Sequence, residues 1–246
     1  MDTIETNLYQ FYRFIGTASQ VDYSDCVYYE QIAGEHFLWP QLIFNLDTKQ
    51  DPGFLLNQIA CSSTKVSFVL APDYFLSRKD RALLKENQLT PVIMMTGMNR
   101  DLKQGTAAML NSGFLVQQLA SKEHLIAFEE LVKKEFFSAE IPLSSGLFQE
   151  LQFGGEARVF GMLQNQELIS AAMIVQQDSG AGLYFIVTKR EFQGRGYVST
   201  LIQFILNKLS EEGIEEVVLH ANNLAVGLYE KLGFKAQYHF FVYKKQ

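Results

Sequence analysis

The sequence predicts a mixed α/β fold with a mostly antiparallel sheet, together with a smaller N-terminal α/β domain. Short apolar runs rich in β-branched and aromatic residues recur along the chain, as is typical of buried strands. Between two of these runs, residues 198–209 carry their apolar side chains at helical spacing instead. The chain has 246 residues, 48% of them apolar, which is enough for a large core in one extended or two smaller domains.

The N-terminal half combines three strand-like runs with one short helical stretch. The helical stretch covers residues 81–86 and ends before Pro91, which cannot continue a helix. The strand-like runs lie at residues 27–29, 42–44 and 66–70. This alternation favours an α/β domain.

Residues 83–93 faintly resemble residues 228–236. Two interpretations remain open for this similarity: an eroded second copy of the C-terminal half, or unrelated helix-turn-strand segments. Only five of the 17 glycines precede Met109, and that half has no glycine turn of a phosphate-binding type. Because the two halves differ in this way, we predict one domain at residues 1–110 and a second at residues 111–246.

The sequence of the C-terminal half predicts an ordered series of strands and helices. Ser121 is suited to cap the first helix, and Gly213 to end the second in a left-handed cap. The expected elements are a strand at 114–119, a helix at 123–137, an antiparallel meander at 158–163 and 167–176, a strand at 183–187, a helix from about 197, a strand at 216–220 and a closing strand at 237–243.

The most informative segment is Gln-Gly-Arg-Gly-Tyr-Val at residues 193–198, between a predicted strand and a predicted helix. Gly194 and Gly196 let the backbone approach an anion closely. A helix that begins at about Tyr197 directs unpaired amide hydrogens and the positive end of its dipole at the same point. The segment therefore predicts a pyrophosphate-binding turn, and coenzyme A carries such a pyrophosphate.

A second pattern follows the next strand: Asn-x-x-Ala-x-x-Leu-Tyr-x-Lys-x-Gly-Phe at residues 222–234. The order of strand, glycine turn, helix, strand and this pattern resembles the GNAT superfamily of N-acetyltransferases, which use acetyl-CoA. The resemblance runs from about Gly113 to the C-terminus and is most specific between Tyr184 and Phe234. It implies a sheet of the GNAT acyltransferase type. One position departs from the family pattern, because Val198 stands where the family has glycine or alanine.

The resemblance also implies where acetyl-CoA is held. A freed backbone amide near the end of the strand before the turn polarises the acetyl oxygen in the family, and Ile186 or Val187 occupies that place. The cofactor-binding residues expected from the turn and the following pattern are Gln193, Gly194, Arg195, Gly196, Tyr197, Val198, Ser199 and Asn222. Asn222 is equally suited to cap the helix that follows it.

Tyr229 occupies the position of the family's general acid, which protonates the departing thiolate. A tyrosine hydroxyl is still protonated at neutral pH, so it can donate; the alternative role is a packed tyrosine on an apolar helix face. No glutamate lies in the strand before the turn, where many family members have one, and Tyr184 in that strand could line the acceptor pocket. The candidates for the base that deprotonates the acceptor are Glu150, Glu156 and His220.

Composition excludes several other classes of protein. A net charge of −6 and a pI near 5.3 argue against nonspecific nucleic-acid binding. Two cysteines without Cys-x-x-Cys spacing and four histidines without ligand spacing indicate neither a disulfide framework nor a metal site. With no run long enough to span a membrane, we expect a cytoplasmic monomer or homodimer.

The sequence therefore predicts an N-acetyltransferase that moves an acetyl group from acetyl-CoA to a primary amine by direct attack. One alternative is a catalytically inactive regulatory or interaction protein that binds coenzyme A. Val198 and the absent strand glutamate favour that alternative. A second alternative is an aminoacyl transferase of the tandem peptidoglycan-bridge type, against which the acidic composition counts.

Overall fold

The computed structural model of the chain describes residues 3–17, 21–34, 39–61, 68–75, 81–103, 115–137, 146–155, 157–177 and 180–245. Within these ranges, eleven strands form a single sheet with helices on both faces. The N-terminal elements are α1 (Thr3–Thr17), β1 (Val21–Asp25), β2 (Glu30–Gly34), β3 (Leu42–Phe44), α2 (Pro52–Cys61), β4 (Phe68–Pro72), α3 (Arg81–Glu86) and β5 (Leu89–Asp101). The C-terminal elements are β6 (Leu115–Gln118), α4 (Lys122–Glu135), α5 (Leu147–Phe153), β7 (Ala157–Gln164), β8 (Glu167–Gln177), β9 (Gly180–Thr188), α6 (Tyr197–Glu211), β10 (Glu216–Ala221), α7 (Val226–Lys231) and β11 (Lys235–Lys245).

The strands lie in the order β1-β2-β3-β4-β11-β5-β10-β9-β8-β7-β6. Two neighbouring pairs are parallel, β3 with β4 and β9 with β10, and the other described pairs are antiparallel. Each parallel pair is joined by a crossover helix, α2 in the first and α6 in the second. The predicted mixed, mostly antiparallel sheet is thereby confirmed.

The two halves repeat one topology and exchange their last strands. In each half, the parallel pair is followed by a short helix, a residue with positive φ and a long strand. That residue is Gln88 (φ 56°) after α3 and Gly233 (φ 84°) after α7. The strand β5 then pairs with β10 of the other half, while β11 pairs with β4, and β5 and β11 pair with each other. This arrangement supports the interpretation that residues 83–93 repeat residues 228–236.

Helix α1 packs closely on the centre of the sheet because glycines lie beneath it. A Cβ at Gly97 of β5 would be 2.9 Å from Cγ2 of Ile4, and one at Gly182 of β9 would be 1.8 Å from Oδ1 of Asn7. The Asn7 oxygen accepts a hydrogen bond of 2.7 Å from the Tyr184 hydroxyl, and its nitrogen donates to a carbonyl of β8. The N-terminal helix is thus tied into the C-terminal half.

Three clusters of buried apolar side chains cover the sheet. One cluster lies under α1, α4 and α5 and spans both halves; we call this side of the sheet the α1 face. On the opposite side, the cluster under α6 and α7 defines the α6 face. The third cluster lies under α2 and α3 in the N-terminal half. Because the first cluster is continuous, the α1 face is built by both halves together.

Most predicted elements of the C-terminal half are confirmed within a few residues. The Ser121 hydroxyl caps α4 by accepting a bond from the His124 amide, and Gly213 follows α6 with φ 82°. In the N-terminal half, the strand predicted at residues 27–29 is wrong: these residues connect β1 to β2, and Val27 is exposed. Position 114 of the first predicted strand lies outside the described residues, as does the predicted domain boundary at 110/111. That boundary stays a prediction.

The contact between Gly182 and Asn7 leads to a stability prediction. Gly182→Ala must displace the Asn7 side chain and break its bond to Tyr184, so we expect the free energy of unfolding to fall by about 2–4 kcal/mol. The matched control is Gly227→Ala on the exposed side of α7, where no atom lies within 4 Å of the new Cβ; it should raise stability by up to about 1 kcal/mol. Urea denaturation measures both. Equal stability of the two variants would contradict the packing of α1.

Candidate functional site

The glycine turn joins β9 to α6 in an open conformation. A short 3-10 turn at Arg190–Phe192 leads into Gly194 (φ 73°) and Gly196 (φ 82°), both left-handed, and a Cβ at either glycine would have no atom within 4 Å. The Gly196 carbonyl accepts the first helical hydrogen bond, from the Thr200 amide at 3.1 Å. The amides of residues 197–199 therefore lie ahead of the first helical hydrogen bond and point out of the helix N-terminus. This geometry suits an anion.

Gln193 and Arg195 have different surroundings in the turn. The Gln193 side-chain nitrogen donates to the Thr188 carbonyl at 2.9 Å, which ties the turn back to the end of β9. The Arg195 guanidinium is exposed and lies 5.8 Å from the centre of the Phe192 ring, a cation–π distance. Arg195 therefore stands at the mouth of the turn, where a phosphate could reach it, while Gln193 has a structural bond of its own.

Val198 turns its side chain inward. It is half-buried and packs, with Tyr197, against the apolar cluster under α6. The amide of Val198 points out of the open N-terminus of the helix, whereas its side chain packs into the core. Ser199, which follows it, is also half-buried. The β-branched residue thus contributes to the core of the α6 face.

The strands β9 and β10 separate directly before the turn. They pair in parallel from Gly180 and Glu216 as far as Leu183 and Leu219, and the described residues of the two strands do not pair with each other beyond that point. β9 continues to Thr188 along β8, and β10 continues to Ala221 along β5. An opening therefore lies between the carboxyl ends of two neighbouring parallel strands, the place where open α/β sheets bind ligands.

A β-bulge bends β9 at this opening. Met173 of β8 pairs with Tyr184 and Ala171 pairs with Val187, so two residues of β9, Phe185 and Ile186, lie opposite one residue of β8. Phe185 has φ 46°, a left-handed conformation that a bulky side chain rarely adopts. The bulge changes the direction of the backbone at residues 185–187, which include Ile186 and Val187. These residues lie on the edge of β9 that is no longer paired with β10.

The end of β9 is held in this shape by the packing of its side chains and by the polar contacts of Ser170. Val187 is buried on the α1 face and Ile186 is half-buried against the α6 face. The Ser170 hydroxyl donates to the Val187 carbonyl at 3.0 Å and lies 2.7 Å from the Thr188 hydroxyl. The end of β9 is therefore fixed by packing and by two polar contacts, which suits a preorganised hydrogen-bond donor.

Asn222 directly follows β10, and Tyr229 lies on α7 shortly after it. Tyr229 is 7% exposed within the cluster under α6 and α7, and burial raises the pKa of its hydroxyl to about 12. It is thus protonated at neutral pH. The Asn222 side-chain oxygen accepts a hydrogen bond of 3.0 Å from the Ala225 amide, so it caps the turn that begins α7. Asn222 is itself exposed, next to the opening.

The three candidate bases differ in their surroundings. Glu150 is exposed on α5, and Glu156 lies outside the described residues. His220 is the first residue of β10 beyond its pairing with β9, and its two ring nitrogens are shielded from solvent without a hydrogen-bond partner in the described part of the chain. Burial lowers the pKa of His220 to about 3, so the ring is neutral at physiological pH.

Two features of the site were not predicted from the sequence. The strained Phe185 gave no signal, because nothing in an apolar strand marks the position of a bulge. Asn7, which anchors Tyr184, belongs to a helix with apolar side chains at helical spacing, and that spacing could have revealed α1. Tyr184 is buried, with its ring stacked 3.9 Å from Phe11, and its place at the acceptor pocket stays a prediction.

The N-terminal counterpart of the glycine turn has different chemistry. It lies between β3 and α2, where Asp47 accepts a bond from the Lys49 amide and Asp51 accepts one from the Phe54 amide. Pro52 begins the helix and has no amide hydrogen. The Asp51 carboxylate thus occupies the Phe54 amide at the helix N-terminus, and the negative charges of Asp47 and Asp51 oppose a phosphate. Two further findings concern the described residues: they contain no cluster of three or more potential metal ligands, and none of their helices is long and apolar enough to cross a membrane.

Residues 125–234 match the family model described as "Acetyltransferase (GNAT) family". A search of curated proteins finds no significant match. Among solved structures, a GCN5-related N-acetyltransferase from Kribbella flavida is 10% identical, with 98% of this chain and 95% of that chain covered and a TM-score of 0.68. A GCN5-related N-acetyltransferase from Sphaerobacter thermophilus is 17% identical over 78% of this chain and 64% of that chain, with a TM-score of 0.60. A tandem GNAT protein from the clavulanic acid biosynthesis pathway is 11% identical over 87% and 77%, with a TM-score of 0.56.

The inward position of Val198 predicts how a substitution there behaves. Val198→Gly removes apolar contacts and adds flexibility to the unfolded chain, so we expect stability to fall by about 1–2 kcal/mol. The dissociation constant for acetyl-CoA should not decrease, because the Val198 side chain packs against the cluster under α6 and leaves the turn open. Thermal denaturation and titration calorimetry measure the two effects. A variant that binds acetyl-CoA more tightly than the parent would show that the valine crowds the coenzyme.

Proposed function

We propose that this chain, whose residues 125–234 form a GNAT-family acetyltransferase domain, transfers an acetyl group from acetyl-CoA to a primary amine. The observation that carries the proposal is the combination of an open helix N-terminus with a parted pair of parallel strands directly before it. The first feature suits the pyrophosphate of coenzyme A, and the second leaves room for its extended arm beside β9. We place the whole coenzyme site in the C-terminal half.

In this proposal the turn supplies most of the anion binding. The amides of residues 197–199 donate to the pyrophosphate, and each charge-assisted hydrogen bond contributes roughly 1.5–3 kcal/mol. Arg195 adds a positive charge at the mouth of the turn. Gln193 fixes the geometry of the turn through its bond to β9, and Asn222 borders the coenzyme from the other strand.

The end of β9 polarises the thioester. The bulge turns the backbone of Ile186 and Val187 toward the opening, where an amide can donate to the acetyl oxygen. That oxygen becomes more negative as the tetrahedral intermediate forms, so a fixed donor stabilises the intermediate more than the bound substrate. The hydrogen bond from the Ser170 hydroxyl to the Val187 carbonyl keeps this backbone amide in place.

Tyr229 acts as the general acid. Its position in the core of the α6 face keeps the side chain away from bulk water. Burial raises the pKa of Tyr229 to about 12, so the hydroxyl keeps its proton at neutral pH and can donate it as negative charge develops on the departing sulfur. The inward side chain of Val198 removes one argument for a protein that binds coenzyme A without catalysis.

The N-terminal half contributes no second coenzyme site in this proposal. Its corresponding helix begins with Pro52, and the side chain of Asp51 already occupies the nearest amide. The chain should therefore bind one molecule of acetyl-CoA, although its topology is repeated. The role of this half is structural, since it supplies β5 and α1 to the sheet beside β10.

The proposed role of Tyr229 predicts the effect of removing its hydroxyl. Tyr229→Phe keeps the ring packing, so acetyl-CoA should bind with unchanged affinity while kcat for acetyl transfer falls roughly 10²-fold or more. Tyr29→Phe is a matched control, because Tyr29 is a buried tyrosine in the N-terminal cluster. An amine panel with acetyl-CoA supplies the acceptor for the assay. Parental turnover by the phenylalanine variant, with chemistry rate-limiting, would reduce Tyr229 to a packing residue.

A further inference from the structure

Aromatic rings surround the bulge of β9 on the α1 face. The centre of the Phe185 ring lies 5.4 Å from that of Trp39, 5.5 Å from that of Phe136 and 6.2 Å from that of Phe137. The three neighbouring rings come from different parts of the chain. Trp39 precedes β3, whereas Phe136 and Phe137 directly follow α4. Both halves therefore build this cluster of rings.

The outer part of the cluster reaches the surface of the protein. Phe136 is 57% exposed, and Trp39 and Phe137 are half-buried. The ring of Phe137 lies between the other two, with its centre 5.4 Å from each of them. We call Trp39, Phe136 and Phe137 the aromatic surface. Water solvates such apolar groups poorly, and contiguous exposed patches of them mark binding sites.

The aromatic surface lies at the same edge of the sheet as the opening. α4 ends beside the short turn that leads into the glycine turn, because the Glu135 side chain accepts a hydrogen bond of 3.3 Å from the Arg190 amide. Phe185 is the second residue of β9 beyond Leu183, where the pairing with β10 ends. Ring contacts therefore lead from the opening directly to the aromatic surface.

The chemistry of the aromatic surface favours an aromatic or bulky apolar group. Aromatic rings attract one another in offset or edge-to-face arrangements with centres about 4.5–7 Å apart, and the rings of this cluster already follow that spacing. The indole N–H of Trp39 is the one polar side-chain group of the three residues. A sugar or another acceptor with many hydroxyl groups would therefore find few hydrogen-bond partners here.

We propose that the acceptor is a small amine with an aromatic ring on a short chain. Its ring packs on the aromatic surface while its amino group enters the opening. This inference rests on the proposed function, in which a backbone amide of Ile186 or Val187 holds the acetyl oxygen. Phe185 directly precedes these residues, so a short chain between ring and nitrogen suffices. The glycine turn leads into α6 on the opposite face, so the coenzyme and the ring of the amine occupy different surfaces.

Two amines that differ by one ring test this specificity. With acetyl-CoA, we expect kcat/KM to be roughly 30- to 100-fold higher for 2-phenylethylamine than for ethylamine. Phe136→Ala should lower this ratio about tenfold, since Phe136 is the most exposed ring of the surface. The matched control is Phe54→Ala, an exposed phenylalanine on α2, which should keep the ratio. A ratio near one in the parent, or an unchanged ratio in Phe136→Ala, would overturn the proposal.

Trp39 provides a second readout that does not require turnover. It is the single tryptophan of the chain, so its fluorescence reports on the aromatic surface alone. Titration with 2-phenylethylamine should change the emission saturably, with a Kd about tenfold weaker in Phe136→Ala and unchanged in Phe54→Ala.

The fluorescence titration separates this inference from the proposed function. A saturable response without acetylation of either amine means that the proposed function fails while the aromatic site stands. No saturable response, or a Kd that Phe136→Ala leaves unchanged, would overturn the aromatic site even if the chain acetylates other amines. A dimer that dissociates in Phe136→Ala would assign the surface to a second copy of the chain and would likewise overturn the proposal.

Discussion

The parting of β9 from β10 after Leu183 and Leu219 is the constraint on which the rest of the site depends. The bulge at Phe185 and Ile186 follows directly after this point, and there a phenylalanine adopts a left-handed conformation that costs roughly 1–3 kcal/mol. The surrounding structure overcomes this strain, because the Phe185 ring is enclosed by other aromatic rings, with Phe148 at 5.0 Å and Trp39 at 5.4 Å. Trp39 comes from the N-terminal half, so packing across both halves fixes the backbone that faces the opening.

The exchange of β5 and β11 explains why the N-terminal half persists although its own turn does not suit a phosphate. β5 lies directly beside β10, and α1 covers the face on which His220 lies. Without these elements β10 would become an edge strand with exposed hydrogen-bonding groups. The N-terminal half therefore acts as part of the scaffold, and the glycine pair beneath α1 makes that contact close enough to be specific.

The sequence predicted those features that local chemistry determines. The turn at Gly194 and Gly196, the helix after it and the Ser121 cap depend on a few neighbouring residues, and all are confirmed as structure. Features that depend on distant contacts were missed. The strand exchange is decided by pairing partners more than a hundred residues apart, and the bulge at Phe185 by rings from both halves. The sequence named His220 as one of three candidate bases, but its two unpartnered ring nitrogens follow from the tertiary packing alone.

The central claim is that coenzyme A binds where β9 and β10 part, and at no other turn of the repeated fold. Amide hydrogen exchange with and without acetyl-CoA tests it most directly, because it reports on each turn separately within the intact chain. The account predicts slower exchange at residues 185–187 and 197–199, with unchanged exchange at residues 49–55 of the N-terminal turn. Protection at residues 49–55, or no protection at residues 197–199 when binding is saturated, would contradict it.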